Sequence, residues 1–257
     1  MKGSDNAPAI VFGLHAVRTL LQRSGGRVRR MCVDAKRDDP RMRELLQLAQ
    51  QLGVKPERVD AKSLSGRLGD VAHQGVLLEV DPLAPWHEDE LIDAVVAAQN
   101  PFVLVLDGVQ DPHNLGACLR TADACGALAV VVPKDRAASM GPTVRKVAAG
   151  AAETMPLATV TNLARTLKLL KEAGQWIVGA DMQGEQLAWQ ADLTGSQALV
   201  MGGEGDGLRE LTRKSCDLLV RLPQAGAVES MNVSVACGML LYETLRQRSL
   251  AAPRRGS

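Results

Sequence analysis

From Pro101 onward the chain reads as short apolar runs set between stretches of helical periodicity, and this alternation constrains the fold more than any other feature. F-V-L-V-L (102–106), A-L-A-V-V-V (127–132), W-I-V-G-A (176–180), A-L-V-M (198–201) and D-L-L-V (217–220) each have the length of a strand buried on both faces. Separated mostly by helical segments, they predict an α/β domain whose parallel sheet is covered by helices on both sides. Ligands on such sheets collect at the carboxyl ends of the strands, where loops open a crevice.

The first 80 residues have a different character. Short apolar strands (Met31 to Val33, Gly75 to Val80) alternate with helical patterns (His15 to Gln22, Arg41 to Leu52), which predicts a smaller α/β unit. Residues 1–80 carry 14 Lys/Arg against 9 Asp/Glu, residues 81–99 carry none against 5, and residues 100–257 carry 16 against 15. The first unit therefore has an electrostatic reason to meet a polyanion. The block D-P-L-A-P-W-H-E-D-E reads as a linker leading into a short helix from Asp89 to Ala98. The expected organisation is a small unit over 8–80, an acidic linker with its helix over 81–99, a larger domain over 100–248, and a flexible tail over 249–257.

Several function classes fall away. The longest apolar runs are far short of the ~20 residues that span a bilayer, and the opening M-K-G-S-D-N-A-P lacks the apolar stretch of a secretory signal. A cytoplasmic address is expected. Five scattered cysteines, never in C-x-x-C spacing, argue against a disulfide framework or zinc site, and they are read as reduced, buried fillers. The four histidines are dispersed and no cluster has ligand spacing, so no metal is expected. With only two Phe, one Tyr and three Trp, recognition by a row of stacked bases is not expected.

Three loops attract chemistry. The first, L-D-G-V-Q-D-P-H-N-L-G-A-C-L-R, runs from strand into turn into helix. Asn114 reads either as the helix cap or as a site residue. Arg120, bracketed by Leu119 and Ala122, is a guanidinium in a largely apolar helix and wants an anion such as an RNA phosphate. The second, M-G-G-E-G-D-G-L, packs four glycines into six positions, so its backbone turns tightly or lets a ligand approach closely. It fits neither G-x-G-x-x-G nor a Walker phosphate loop. Glu204 within it reads as a carboxylate at a helix N-terminus or as a site residue. The third, L-P-Q-A-G-A-V-E-S-M-N-V-S-V-A, leads into a long helix, with Ser230 as its candidate cap and Met231, Val235, Met239 and Leu240 near one face, a stripe suited to a core or a subunit interface.

In this order the three segments resemble the motifs of the SpoU (TrmH-like) family of RNA 2′-O-ribose methyltransferases, within the knotted SPOUT superfamily. The resemblance spans Phe102 to Arg246. F-G-L-H-A-V near the start and V-A-H-Q-G-V near residue 75 resemble the family's substrate-binding domain, related to the ribosomal protein L30e fold. The resemblance implies S-adenosyl-L-methionine as cofactor and a trefoil-knotted catalytic domain. It also implies a homodimer formed through that domain and, as substrate, a guanosine ribose of 23S ribosomal RNA. Within the same likeness, a tRNA ribose methyltransferase and a non-catalytic RNA-binding assembly factor stand as alternatives.

Carried over by position, the resemblance implies catalytic roles for Asn114, Arg120, Glu204, Ser230 and Asn232, and cofactor contacts at Gly202, Gly203, Leu222 and Met231. Gln224 and Met231 depart from the residues most common in the family, with side-chain volume kept. A guanidinium resists deprotonation, so Arg120 is expected to bind the phosphate beside the reacting hydroxyl rather than to act as general base. Ser230 and Asn232 would orient ribose or cofactor, and Glu204 would brace its loop or Arg120.

Overall fold

The computed structural model describes residues 8–68, 73–205, 207–227 and 230–251. Chain contacts divide it into two compact units, Met1–Ala84 and Pro85–Ser257.

The first unit comprises β1 (Ala9–Phe12), α1 (Leu14–Ser24), β2 (Val28–Asp34), α2 (Pro40–Gln51), β3 (Pro56–Val59), α3 (Ala61–Leu68) and β4 (Val76–Val80). The sheet order is β1-β4-β2-β3, with β4 antiparallel to both neighbours and β2 parallel to β3. Val17, Leu20 and Leu21 from α1 and Met42 and Leu45 from α2 close over Met31, Val76 and Leu78. Cys32 and Leu77 face the other way, onto Leu64 of α3. The alternation of side chains along β2 and β4 thus serves two small cores. Asp39 caps α2, accepting from the amides of Arg41 and Met42, and Pro40 opens it at the position where a missing N–H costs nothing.

The second unit comprises α4 (Glu88–Ala97), β5 (Phe102–Asp107), α5 (Pro112–Cys125), β6 (Ala129–Pro133), α6 (Pro142–Ala148), β7 (Leu157–Val160), α7 (Leu163–Glu172), β8 (Trp176–Ala180), β9 (Gln186–Leu187), β10 (Gln197–Gly202), α8 (Glu210–Ser215), β11 (Leu218–Arg221) and α9 (Val233–Ala251). The sheet order is β7-β6-β5-β10-β8-β11-β9, and each of these pairings is parallel. Leu104 and Leu106 of β5 join one core with Leu115, Leu119 and Leu240, while Val103 and Val105 join another with Val131, Ile177 and Leu167. Both faces are buried, which is why these strands read as continuous apolar runs. The expected doubly covered parallel sheet is what forms.

Four local expectations need correction. The acidic stretch before α4 is not free linker: Trp86 donates its amide to Leu157 O and accepts from Thr159 N, pairing beside β7. Asp111, not Asn114, caps α5, because an Asp before a proline at the first helical position meets the orphan amides directly. Asn232, not Ser230, caps α9: its Oδ1 accepts from the amides of Ser234 at 2.9 Å and Val235 at 3.4 Å. Finally, α9 continues through Ala251, so the first residues of the expected tail are helical, and 252–257 lie outside the described residues.

The stripe expected on α9 also divides. Leu240 belongs to the core with Val233, Cys237, Leu241 and Thr244, whereas Val235 and Met239 are each 50% exposed and are joined by Tyr242 at 65%. Successive helix positions turn by a little under a third of a circle, so Met239 and Leu240 cannot share a face.

Candidate active site

The site is built where β10 lies between β5 and β8, at the carboxyl ends of the strands. Gly202 ends β10 directly opposite Asp107, which ends β5. The glycine loop that follows folds back on itself, with Gly203 bridging Gly207. A Cβ at Gly202 would stand 2.1 Å from the Gly207 carbonyl carbon, and one at Gly203 would stand 2.5 Å from the Gly108 carbonyl oxygen. Any side chain at either position would displace backbone, so the chain's own close approach explains these glycines.

Asp107 was missed by the sequence reading, and it holds this loop down. Its buried carboxylate pairs with the Arg209 guanidinium and accepts from the Arg209 amide at 3.1 Å. The signal was available as an acid in L-D-G at the mouth of an otherwise apolar strand. A buried charge that has lost its partner is expensive, so the pair fixes the start of α8 against the end of β5.

A cavity of about 450 Å³ opens beside the loop. Gly202, Gly203 and Glu204 line it from the second segment, and Leu222, Ser230, Met231 and Asn232 line it from the third. Ala180, Met201 and Val220 give it an apolar wall, with Asp181 and Arg213 beyond, themselves paired at 3.1 Å. Asn114, 6% exposed, does not line the cavity but ties its two sides together. Its Nδ2 donates to Glu204 Oε1, and its Oδ1 accepts from Asn232 Nδ2 at 3.1 Å. One amide thereby joins all three segments, and Asn232 both caps α9 and holds Asn114.

Two expectations about charged groups change here. Glu204 is not at the start of α8, which begins at Glu210, and it braces Asn114 rather than Arg120. Arg120 does not line the cavity; it is exposed, and among the described residues it makes no hydrogen bond or ion pair. It lies on α5 six residues beyond Asn114, so the two sit on different sides of the helix.

Four of the five thiols, Cys32, Cys118, Cys125 and Cys237, are buried. Burial pushes Cys216 up to about 12, and the hydrogen bond that the Cys237 thiol makes to Cys118, together with burial, raises Cys237. Among the described residues no group of three His, Cys, Asp or Glu side chains could hold a metal ion. No helix of the described residues is long and apolar enough to cross a membrane.

Comparison with known proteins meets this geometry. Residues 101–242 match the model of the SpoU rRNA Methylase family, and residues 10–86 match that of RNA 2′-O ribose methyltransferase substrate binding. The chain is 51% identical over 242 residues to a 23S rRNA (guanosine-2′-O-)-methyltransferase RlmB of Pseudomonas syringae pv. tomato, covering 93% of this chain and 96% of that one. It is 46% identical to the protein of that name from Escherichia coli K12, over 93% and 99% of the two chains. Among solved structures, the SpoU methyltransferase AviRb from Streptomyces viridochromogenes in complex with AdoMet is similar with a TM-score of 0.66 and 27% identity, over 95% of this chain and 91% of that one. On both the family models and the near full-length identity, this chain belongs to the SpoU rRNA methylase family.

Proposed function

We propose that the protein transfers a methyl group from S-adenosyl-L-methionine to the 2′-hydroxyl of a guanosine ribose in 23S ribosomal RNA. The observation that carries the reading is the tie through Asn114, which joins the first family motif to the two motifs that line one cavity at the carboxyl ends of the parallel strands. Relatives bearing the 23S rRNA methyltransferase name match nearly end to end, and a similar SpoU structure contains AdoMet.

The cavity fits the cofactor. Its volume lies within the range of small-molecule sites. Met201, Val220 and Leu222 suit an adenosyl group, Glu204 offers a carboxylate to a cationic centre, and the backbone at Gly202, Gly203, Leu222 and Met231, residues that line the cavity, would hydrogen-bond to it. When bound, the cofactor supplies an electrophilic methyl group. The chain's own work is alignment, which in well-oriented reactions recovers roughly 7–11 kcal/mol. The bonded set Asn114, Glu204 and Asn232 keeps the cavity walls in register, and Ser230, exposed at its rim, orients the ribose. Arg120, whose guanidinium has no partner among the described residues, grips the phosphate beside the reacting hydroxyl, and that phosphate takes the proton or fixes its geometry.

The same reading extends to architecture. The catalytic domain is a trefoil knot, a reading supported by the placement of β10 between β5 and β8. The mixed four-stranded sheet of the first unit with its three helices is the L30e-like substrate-binding domain. The exposed Val235, Met239 and Tyr242 on α9 form a homodimer contact next to the cavity-lining Val233 and Ala236. The enzyme works in the cytoplasm, where free thiols persist.

The deciding experiment measures binding of S-adenosylmethionine, then transfer of its labelled methyl group to deproteinised 23S rRNA, with the modified ribose mapped. A single methylated guanosine is expected. Cofactor binding without transfer to any RNA would favour an assembly factor, and transfer to tRNA alone would overturn the assigned substrate.

A further inference from the structure

The motifs F-G-L-H-A-V and V-A-H-Q-G-V take no part in the cavity of the second unit, yet the first unit brings their described residues to one place. Gln74 Oε1 accepts from the Leu14 amide at 3.0 Å, capping α1 where Gly13 has no side chain to do so. The Gly13 amide donates to Val76 O at 3.3 Å. Gln74 itself sits at φ 52°, a left-handed conformation that a residue with a side chain holds only when its surroundings impose it. Arg37 supplies part of that imposition by donating to the Gln74 carbonyl.

Against this turn lies a second cavity, of about 430 Å³, on the size scale of small-ligand sites. Leu14 gives it apolar surface over the buried Leu45, and His15, Gln74, Arg41 and the Arg18–Glu44 ion pair at 2.5 Å give it polar groups. Arg41 stands apart chemically. Among the described residues the side chains of the other arginines of this unit all have a partner, whereas the Arg41 guanidinium has no hydrogen bond or ion pair. The Gln74 side-chain amide nitrogen likewise has no acceptor among the described residues, because only its oxygen is used on α1.

We propose that this cavity takes one unpaired nucleotide of the RNA substrate, other than the nucleotide methylated. Its phosphate sits on Arg41, and its base lies over the half-buried Leu14 within reach of the Gln74 amide and the Glu44 carboxylate. The logic is that of single-stranded RNA recognition, where a splayed base is held on its face and read at its edge. Here an aliphatic side chain takes the place of the scarce aromatics. The proposal rests on the methyltransferase reading only for the identity of the RNA.

The test uses the full chain and deproteinised 23S rRNA, comparing wild type with Arg41→Ala, Arg41→Glu and Arg41→Lys. Lys55→Glu is the control, an equal charge reversal at the exposed lysine before β3, on the opposite edge of the sheet from β1. Arg41→Glu is expected to weaken RNA binding roughly tenfold, and Arg41→Ala to lower the salt dependence by about 0.7, the loss of one single-strand phosphate contact. KM for RNA should rise while kcat and S-adenosylmethionine affinity stay at wild-type values, with Arg41→Lys recovering part of the loss. Equal losses in Arg41→Glu and Lys55→Glu would mean diffuse attraction and overturn the proposal, as would unchanged binding in Arg41→Glu. If wild type binds the RNA but transfers no methyl group, the methyltransferase reading fails and the binding comparison still decides this one.

Discussion

The two units use their charges in opposite ways. In the first, arginines pair across the surface: Arg29 with Asp81, Arg30 with Glu57, Arg37 with Asp39 and Arg67 with Glu79, all in contact with solvent. In the second, the polar contacts that matter are each anchored on one buried group: the Asp107 carboxylate with the more exposed Arg209, and the Asn114 amide with the more exposed Glu204 and Asn232. Exposed pairs are screened and contribute little to stability, but they leave a surface rich in guanidinium that suits a nucleic acid. Buried polar groups left without partners are costly, so they specify one arrangement of loops and hence one site.

This contrast can be broken at graded points. Asp107→Ala should have the largest effect, costing about 3–5 kcal/mol by loss of a buried carboxylate from its cation. Because Arg209 is itself partly exposed and can recover solvent, the lower end of that range is expected, read by urea unfolding. Arg120→Lys keeps the charge and loses the planar fork. It should cut kcat by roughly 100- to 1,000-fold, the scale of a lost transition-state donor, with cofactor affinity nearly unchanged. Wild-type turnover in that variant would remove Arg120 from the mechanism. Asn232→Ala removes a helix cap, worth about 1 kcal/mol. It should also weaken S-adenosylmethionine binding, because the tie to Asn114 goes with it; a stability loss with no change in affinity would separate cap from site. Smallest of all, Arg67→Gln on the first unit should move stability by only about 0.2–1 kcal/mol, less in high salt. A larger loss there would erase the distinction between the two regions.

How legible each part was depends on where its information lies. β5, β6, β8 and β10 announce themselves because burial on both faces demands unbroken apolar runs, and the part-buried β11 does so by its short L-L-V run. β7, only L-A-T-V after Pro156, and the two-residue β9 carry too few residues for periodicity to register. The family motifs brought seven of the nine expected site residues to one cavity wall and Asn114 into contact with it. Which residue capped which helix was misread at Asn114 and at Ser230, since several side chains able to cap stood within three positions of each helix start. Asp107 escaped notice because an acid after a strand looks like a turn residue until its partner, about a hundred positions later, is folded against it.

The sequence alone determined the class of fold, the positions of the three loops and the family, because hydrophobic period and the order of short motifs are properties of neighbouring residues. Only the tertiary structure decided which strands lie side by side, that Glu204 holds Asn114 rather than Arg120, and that among the described residues the Arg120 and Arg41 guanidinium groups find no partner. Those outcomes depend on contacts between residues far apart along the chain, and no local pattern encodes them.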